Sequence, residues 1–470
     1  MLPASCKDAN SNVSVPIFTT SSDLLTFTNS GGSYLLTVTM NGSSWSASSD
    51  QSWCAISSSS STKTNTQVTI IAEANADNKV RTAKLTFVMD QKTTIYVNVS
   101  QAAKVELYPS YKDSIASDAT GMNSTATELA KKMKLGLNIG NTLEATGGET
   151  AWGNPLITND LIKAIKQNGF NAIRLPVAWN QNADQTTAAI SATWLNRVKQ
   201  VVQYCVDNDM YVIVNTHWDG GWLEENCTEA KKVANNAKQK AFWEQIAITL
   251  RDFDERVLFA SANEPNVDDA TQMGVLLSYH QTFINAVRST GGKNAYRVVV
   301  VQGPSTDIEK TNKLMNILPT DKVANRMMAE VHYYTPWNFC GMTKDDTWGN
   351  QFYYWGAGNH STTDTARNAA WGEEATVDAN FALMKKQFVD KGIPVIIGEF
   401  GASRRDNLTG NALKLHLASR AYFFKYVTKQ AVANGFLPFF WDTGGLINRN
   451  NYSVADQQAL DGLIQGANGL

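Results

Sequence analysis

Two glutamates, each following a short apolar run, are the residues of this chain best suited to bond-breaking chemistry. Glu264 follows Val257–Ala260 in the sequence Ser-Ala-Asn-Glu-Pro, and Glu399 follows Val395–Ile397 in Gly-Glu-Phe-Gly. Two carboxyl groups can cleave a glycosidic bond, because one protonates the leaving oxygen and the other attacks the anomeric carbon. When configuration is retained, they lie about 5–5.5 Å apart, and their pKa values must differ.

Other apolar runs also end in polar or aromatic side chains. Burying so many polar groups without a role would be costly, so we interpret them as one site and not as separate structural groups. The candidate substrate-binding residues are Arg174, His217, Asn263, His332, Tyr334 and Trp441.

The charged members of this set suggest how the two carboxyl groups differ. Arg174 near Glu399 would keep that carboxylate ionised as the nucleophile, through an opposite charge and a hydrogen bond. Glu264 has no cation in its own motif, so we expect it to remain protonated as the acid. It would then act as the base that activates water in the second step.

The remaining candidates are suited to hold a sugar. Asn263 can bind the 2-hydroxyl, a contact that strengthens in the transition state. His332 and Tyr334 can orient the nucleophile and bind hydroxyl groups. Trp441 offers a flat apolar face to a pyranose ring. No metal ion or other cofactor is needed for this chemistry.

The elements that position these residues alternate between strand and helix from residue 126 to residue 470. Apolar runs of this kind indicate parallel strands that are buried on both faces. Eight such repeats predict an α/β fold, a closed (β/α)8 TIM barrel, whose strand ends converge on one rim. A doubly wound open sheet is the alternative, but no GxGxxG motif follows the first strand. The eight runs are Leu135–Ile139, Ala172–Val177, Tyr211–Val214, Val257–Ala260, Val298–Val301, Met327–Val331, Val395–Ile397 and Leu437–Trp441.

The N-terminal part of the chain shows a different pattern. Residues 16–103 contain short runs that alternate with period two, which predicts a small all-β, immunoglobulin-like sandwich. Residues 1–15 are interpreted as a tail, and residues 104–125, which lack periodicity, as a linker. Trp45 and Trp53 could bind sugar, although such residues more often belong to a sandwich core.

Both parts resemble known families. The paired Trp45-Ser-Ala and Trp53-Cys-Ala-Ile segments and the closing Val97-Asn-Val-Ser-Gln resemble the BACON module. The barrel resembles glycoside hydrolase family 5, in the clan whose acid and nucleophile follow strands four and seven. Its matching motifs, in order, are Gly140-Asn-Thr-Leu-Glu, Trp152-Gly-Asn-Pro, Arg174-Leu-Pro, His217-Trp, Asn263-Glu-Pro, His332-Tyr-Tyr, Gly398-Glu-Phe-Gly and Trp441.

This resemblance implies roles for the candidate residues. Glu264 would be the acid/base, Glu399 the nucleophile, and the six other candidates would line the central subsite. Trp218 is a departure, because many relatives carry a second His at that position. The implied activity is that of a retaining endo-β-1,4-glucanase acting on cellulose-type or mixed-linkage β-glucan. A xyloglucanase or β-mannanase of the same family is the alternative, and a carbohydrate-binding or adhesion protein with an inactive barrel is the non-enzyme alternative.

The composition agrees with a neutral polysaccharide as partner. The formal net charge is −2 at pH 7, which gives no long-range attraction to nucleic acid or to an anionic membrane. No apolar run approaches the length of a membrane span. Cys6, preceded by small residues, resembles a bacterial lipoprotein site, or is an incidental cysteine. We expect a monomer that is either secreted or held at the cell surface. A cell-surface location would use a lipid anchor at Cys6.

Two long loops are rich in tryptophan. The loop after strand three contains Trp222, and the loop after strand six contains Trp337, Trp348, Trp355 and Trp371. Exposed rings would suit an open cleft that binds several sugars, while loops of this length also need apolar anchors. We expect two or three of the five to be anchors.

Overall fold

The structure, a computed structural model, describes residues 15–104 and 106–470. The chain divides between Leu107 and Tyr108 into two units. Within the described residues, no helix combines the length and the apolar character needed to cross a bilayer. Cys6, the predicted lipid-anchor position, lies outside the described residues.

The first unit is a β-sandwich, as the alternating pattern predicts. Its strands pair antiparallel except Leu24–Phe27, which runs parallel to Thr93–Gln101. One sheet contains, in spatial order, Phe18–Thr20, Gly32–Met40, Asn65–Ala72 and Cys54–Ile56. The other contains Leu24–Phe27, Thr93–Gln101, Arg81–Met89, Trp45–Ser49 and Ser60–Ser61.

The two tryptophans of the sandwich belong to its core. Trp45 is 2% exposed and Trp53 is 9% exposed. The Trp45 ring packs against Phe87, and the Arg81 guanidinium lies 4.3 Å from the centroid of the Trp53 ring. Neither ring is free to stack on a sugar, so the structure favours the core interpretation of both residues.

The second unit contains the predicted closed barrel of eight parallel strands. Almost every strand residue is buried, as expected for strands that are covered on both faces. Each predicted apolar run coincides with one strand. The strands are Gly136–Ile139, Ala172–Leu175, Tyr211–Asn215, Val257–Ala260, Val299–Gln302, Met327–Tyr333, Val395–Phe400 and Phe436–Asp442.

A main helix follows every barrel strand. Several begin at a side-chain cap, where Thr158, Asp269, Asp307 or Asp456 accepts the backbone N–H three residues later. Ala126–Lys132 precedes the first strand, and Trp337–Cys340 is a short helix in the loop after strand six. The main helices are Asn159–Gln167, Ala192–Asp207, Glu229–Thr249, Ala270–Ser289, Ile308–Leu314, Glu374–Gln387, Gly410–Ala433 and Gln457–Ala467.

Residues 108–125, most of the predicted linker 104–125, are part of the barrel unit. The Tyr111 backbone N–H donates to Glu244 at 2.7 Å, and Ser124 donates to Glu255 from its N–H and its hydroxyl. Ile115–Ser117 forms a short parallel pairing with Gly291–Gly292. The prediction missed these contacts because polar groups distant in sequence make them, and such contacts leave no periodic pattern. We call residues 108–125 the strap.

The described cysteines are free and buried. Cys54 lies in the sandwich core, and Cys205, Cys227 and Cys340 lie in the barrel unit. Burial raises the pKa of all four thiols, so the unreactive protonated form is favoured.

Candidate active site

The carboxyl ends of the barrel strands bring the predicted residues to one rim. Arg174, Asn263, Glu264, His332, Tyr334 and Glu399 form one connected set of hydrogen bonds and ion pairs. His217 and Trp441 pair beside this set, and Trp441 shares a pocket with Tyr334.

Arg174 and Tyr334 hold Glu399. One carboxylate oxygen accepts from Arg174 Nη1 at 2.8 Å, and the other accepts from the Tyr334 hydroxyl at 3.0 Å. Burial raises the pKa of Glu399, while the charges of His332 and Arg174 oppose that rise. The expected pairing of Arg174 with Glu399 is present, but the net shift of the Glu399 pKa is upward, opposite to the expectation that Arg174 favours the ionised form, because the cost of burial outweighs the two cations.

His332 pairs with Glu264, and not chiefly with the nucleophile candidate as expected. Its Nδ1 lies 2.7 Å from Glu264 Oε1 and 3.7 Å from Glu399 Oε2. Burial opposes the charged imidazolium, but Glu399, Glu264 and Glu330 raise the pKa of His332 to about 10. Glu264 has no cation in its own motif, but the expectation that it therefore stays protonated is wrong for the free site, because a residue from another strand supplies the cation.

This cation changes the protonation of Glu264 in the free site. Burial acts to raise the pKa of Glu264, but the hydrogen bond and charge of His332 outweigh it and lower that pKa. The direction is opposite to the one expected for a resting acid. The Glu264 side chain is 42% exposed, whereas that of Glu399 is 8% exposed. A bound ligand can therefore remove much more water from Glu264 than from Glu399.

The two carboxylates are close enough for a direct displacement on a sugar. Ligand atoms of Glu264, His332 and Glu399 all lie within 4.8 Å of one another. That separation matches the close pair of a retaining glycosidase, since an inverting enzyme leaves about 6.5–9.5 Å for a water molecule.

Asn263 has its amide orientation fixed from both sides. Its Oδ1 accepts from Arg174 Nη2 at 2.8 Å, and its Nδ2 donates to Glu224 Oε1 at 3.2 Å. The same Glu224 oxygen accepts the backbone N–H of Glu264 at 2.9 Å. Among the described residues, the second N–H of the Asn263 amide has no hydrogen-bond partner.

His217 and Trp441 stack on each other, with ring centroids 5.8 Å apart and planes inclined by 6°. Burial lowers the pKa of His217 far below its ordinary value, so its ring is neutral. Asn215 Oδ1 accepts from Val177 N, and Asn215 Nδ2 therefore donates to His217 Nδ1. The proton of the neutral ring is thus on Nε2.

A family match and several relatives agree with this geometry. The Cellulase family (glycosyl hydrolase family 5) matches residues 137–445, and the BACON family, described as a putative N-terminal binding domain, matches residues 43–102. The chain belongs to glycosyl hydrolase family 5. It is a glycoside hydrolase, and the predicted family, barrel and BACON-type module are confirmed.

Relatives of this family 5 enzyme include xyloglucan-specific and general endoglucanases. A xyloglucan-specific endo-β-1,4-glucanase of Bacteroides ovatus is 38% identical over 90% of this chain and 86% of its own length. Endoglucanase A of Paenibacillus barcinonensis is 35% identical over 75% of this chain and 92% of its own. A solved Bacteroides ovatus family 5 xyloglucanase, in complex with a XXXG heptasaccharide, superposes with a TM-score of 0.72 at 34% identity, covering 97% of this chain and 100% of its own.

Two buried carboxyl groups of this family 5 site were missed from the sequence. Glu330 is fully buried beside Arg174 and His332, and a glutamate two residues before His332 in an apolar run was a usable signal. Glu224 lies in the loop after strand three, where no pattern marks it. Burial raises the pKa of Glu224 to about 7, and the nearby charge of Glu264 adds to that rise.

The loop tryptophans of the family 5 barrel divide into two groups. Trp222 and Trp355 are buried anchors, whereas Trp337, Trp348 and Trp371 are half-exposed. Trp337 and Trp371 line a cleft of about 440 Å³ together with Glu264. These two rings are therefore placed to contact a ligand that reaches Glu264.

Among the described residues, Glu264, His332 and Glu399 form the group whose atoms could surround a metal ion. Both His332 nitrogens already face carboxylates, Nδ1 facing Glu264 and Nε2 facing Glu330. A charged imidazole has no lone pair for a metal, so the chemistry of this set does not suit an ion.

Proposed function

We propose that the chain is a retaining endo-β-1,4-glucanase that works by double displacement, with Glu399 as nucleophile and Glu264 as acid/base. The observation that carries this proposal is the approach of the two carboxylates to within 4.8 Å. Retaining enzymes use such a close pair, because one carboxylate attacks the anomeric carbon directly while the other carboxyl group protonates the leaving oxygen.

In the first step, Glu399 attacks the anomeric carbon while the bond to the leaving oxygen breaks. Glu264 gives its proton to that oxygen, and a glycosyl ester forms on Glu399. Arg174 and Tyr334 orient the attacking carboxylate through their bonds at 2.8 Å and 3.0 Å. In the second step, Glu264 takes a proton from water, and the hydroxide displaces Glu399.

The lowered pKa of Glu264 is compatible with its role as acid once a substrate is bound. Its side chain is 42% exposed in the free site, so a sugar chain lying over it removes water. Loss of solvation disfavours the carboxylate and raises its pKa. Substrate binding therefore shifts Glu264 toward the protonated form that the first step needs.

The remaining rim residues form the central subsite. Asn263 presents its free N–H to the sugar 2-hydroxyl, and His217 presents its Nε2–H to a second hydroxyl. Trp441, braced by His217, offers its face to the apolar side of the pyranose. His332 acts mainly on Glu264 through their 2.7 Å contact.

The substrate is a β-1,4-glucan, and a xyloglucan is a specific second candidate. The Bacteroides ovatus relative that matches most of this chain is xyloglucan-specific, and the cleft beside Glu264 is open with half-exposed tryptophans. Product analysis on carboxymethylcellulose, mixed-linkage glucan, xyloglucan and mannan discriminates the candidates. We expect oligosaccharides from at least one glucan; products from mannan alone would contradict both candidates.

The retaining mechanism is tested by the first product formed. We expect ¹H NMR of the early reaction to show the β-anomer at the new reducing end, with the α-anomer rising later by mutarotation. An α-anomer that appears first would overturn the double displacement.

We further propose that the enzyme acts outside the cell or at its surface, since its substrate is a polymer. We also propose that it acts as a monomer. Fractionation of the native host with an antibody, followed by activity measurement on intact cells, tests this location. Activity confined to the cell interior would contradict it.

A further inference from the structure

Glu330 lies at the centre of the charges that surround the two catalytic carboxylates. It is on strand six, two residues before His332, and is fully buried. Its Oε1 faces Arg174 Nε at 2.9 Å and His332 Nε2 at 3.2 Å. Its Oε2 accepts from Gln302 Nε2 at 2.6 Å.

Each cation bound by Glu330 in turn contacts one catalytic carboxylate. Arg174 Nη1 reaches Glu399 at 2.8 Å, and His332 Nδ1 reaches Glu264 at 2.7 Å. Glu330 Oε1 is therefore a shared partner of the two cations that contact the catalytic carboxylates. Resting on the proposed function, we propose that Glu330 is a positioning residue, which orients Arg174 toward the nucleophile and His332 toward the acid/base.

The backbone beside Glu399 is built around this carboxylate. A Cβ added at Gly398 would lie 2.0 Å from Glu330 Oε1. The strand pairing is irregular at the same place, between Val331 and His332. Glycine is needed at position 398 because the Glu330 side chain occupies that space, so the backbone next to Glu399 packs directly against Glu330.

The charge of Glu330 also affects the proton on His332. The charged or titratable groups near that ring are Glu264, Glu330, Glu399, Arg174 and His217. The three carboxylates favour the imidazolium, while Arg174 opposes it. Without Glu330, His332 would lose its proton at a lower pH, so the pH range over which it donates to Glu264 as a cation would be narrower.

The substitution E330Q keeps the size of the side chain but removes its charge. We expect kcat to fall at least tenfold with KM changed less than about threefold, because an orientation is lost and not a substrate contact. We expect the alkaline limb of kcat/KM, which reports loss of the Glu264 proton in the free enzyme, to move to lower pH by on the order of one unit, because the charge of Glu330 acts to raise the pKa of Glu264. The His332 pKa, followed by NMR of ¹³C-labelled histidine without substrate, should fall by a similar amount.

A double variant separates charge from hydrogen bonding. In E330Q the new amide N–H would face the Gln302 amide N–H, whereas Q302E/E330Q restores a donor and an acceptor and only moves the charge. Gln302 Oε1 accepts from Ala262 N at 2.9 Å, which a carboxylate can also do. We expect the double variant to recover Tm while its pH profile and His332 titration stay shifted.

A matched control is E149Q, which breaks the buried Glu149–Arg197 pair elsewhere in the barrel unit. It should lower Tm without moving the pH profile. An unshifted His332 titration in E330Q, or a wild-type pH profile in that variant, would overturn the proposed role. Failure of the proposed function is distinct, because it would show as a wild-type enzyme inactive on every β-glucan.

Discussion

The sandwich and the barrel bury their side chains differently. Within the described part of the first unit, the buried side chains are apolar apart from the uncharged Asn75 and Gln101. The barrel unit buries Arg174, Glu330 and Glu399 at the carboxyl ends of its strands. Tryptophan occurs in both units, so residue type does not distinguish core from site, whereas buried charge at converging strand ends does.

This difference has an energetic side. Removing charged groups from water costs several kcal/mol per ion, and attraction within the protein offsets it only with good geometry. The described part of the sandwich buries no charged side chain and so avoids that cost. The barrel rim incurs this desolvation cost, as expected where charged groups take part in a reaction.

The largest expected effect comes from breaking the charged rim at Glu264. We expect E264Q to lower turnover of the polysaccharide by about 10²–10⁴-fold, since it removes general acid help to a poor leaving group. An aryl glycoside with an activated phenol needs no such help and should lose much less in its glycosylation step. Equal losses on both substrates would contradict the acid assignment.

Two tryptophan variants sharpen the comparison directly. We expect W441A to lower kcat/KM by on the order of 100-fold, from lost stacking and transition-state contacts, with a modest change in Tm. W45A should destabilise the sandwich by about 3–5 kcal/mol and leave activity per folded molecule unchanged. Calorimetry and kinetics on both variants provide the check; a W441A protein that unfolds early yet turns over normally would identify Trp441 as core.

Much of this architecture could be predicted because it depends on local patterns. The eight barrel strands are continuous apolar runs, and the sandwich strands alternate with period two. The rim residues were recognisable because each lies within such a run or shortly after it. The strap was missed since Tyr111 and Ser124 are held by glutamates more than a hundred residues away.

The residues that lie at the rim were easier to predict than the ion pairs between them. The pairing of His332 with Glu264 depends on the register of two strands that are not adjacent in the barrel, which no motif encodes. Glu224 reaches the site from a long loop, and its position depends on how that loop folds. Glu330 is the exception, because its charge inside an apolar strand was visible.

A smaller effect concerns pH. If bound sugar raises the pKa of Glu264, the alkaline limb of kcat should lie at higher pH than that of kcat/KM, since the first reports the complex and the second the free enzyme. A separation of about one unit corresponds to roughly 1.4 kcal/mol. Limbs that coincide, or lie in the reverse order, would show that substrate does not protonate Glu264 by dehydration.

The smallest expected effect concerns the sandwich itself. Removing residues 1–107 should leave turnover on soluble glucan within about threefold, since the rim residues all belong to the second unit. Removing residues 1–125 also removes the strap and should lower Tm, because Glu244 and Glu255 lose the hydrogen bonds that the strap donates to them. Equal Tm values for the two truncations would argue against a structural role for the strap. Retardation of the isolated sandwich in β-glucan gels would give it a binding role instead.

The burial of the described cysteines makes each unit its own reporter of unfolding. Cys54 is shielded by the sandwich core, and Cys205, Cys227 and Cys340 are shielded in the barrel unit. A thiol reagent can reach them only when the surrounding structure opens, so the labelling rate measures how often that happens. With Cys6 replaced by serine, mass spectrometry of labelled peptides would follow the opening of both units in one sample, without any added probe.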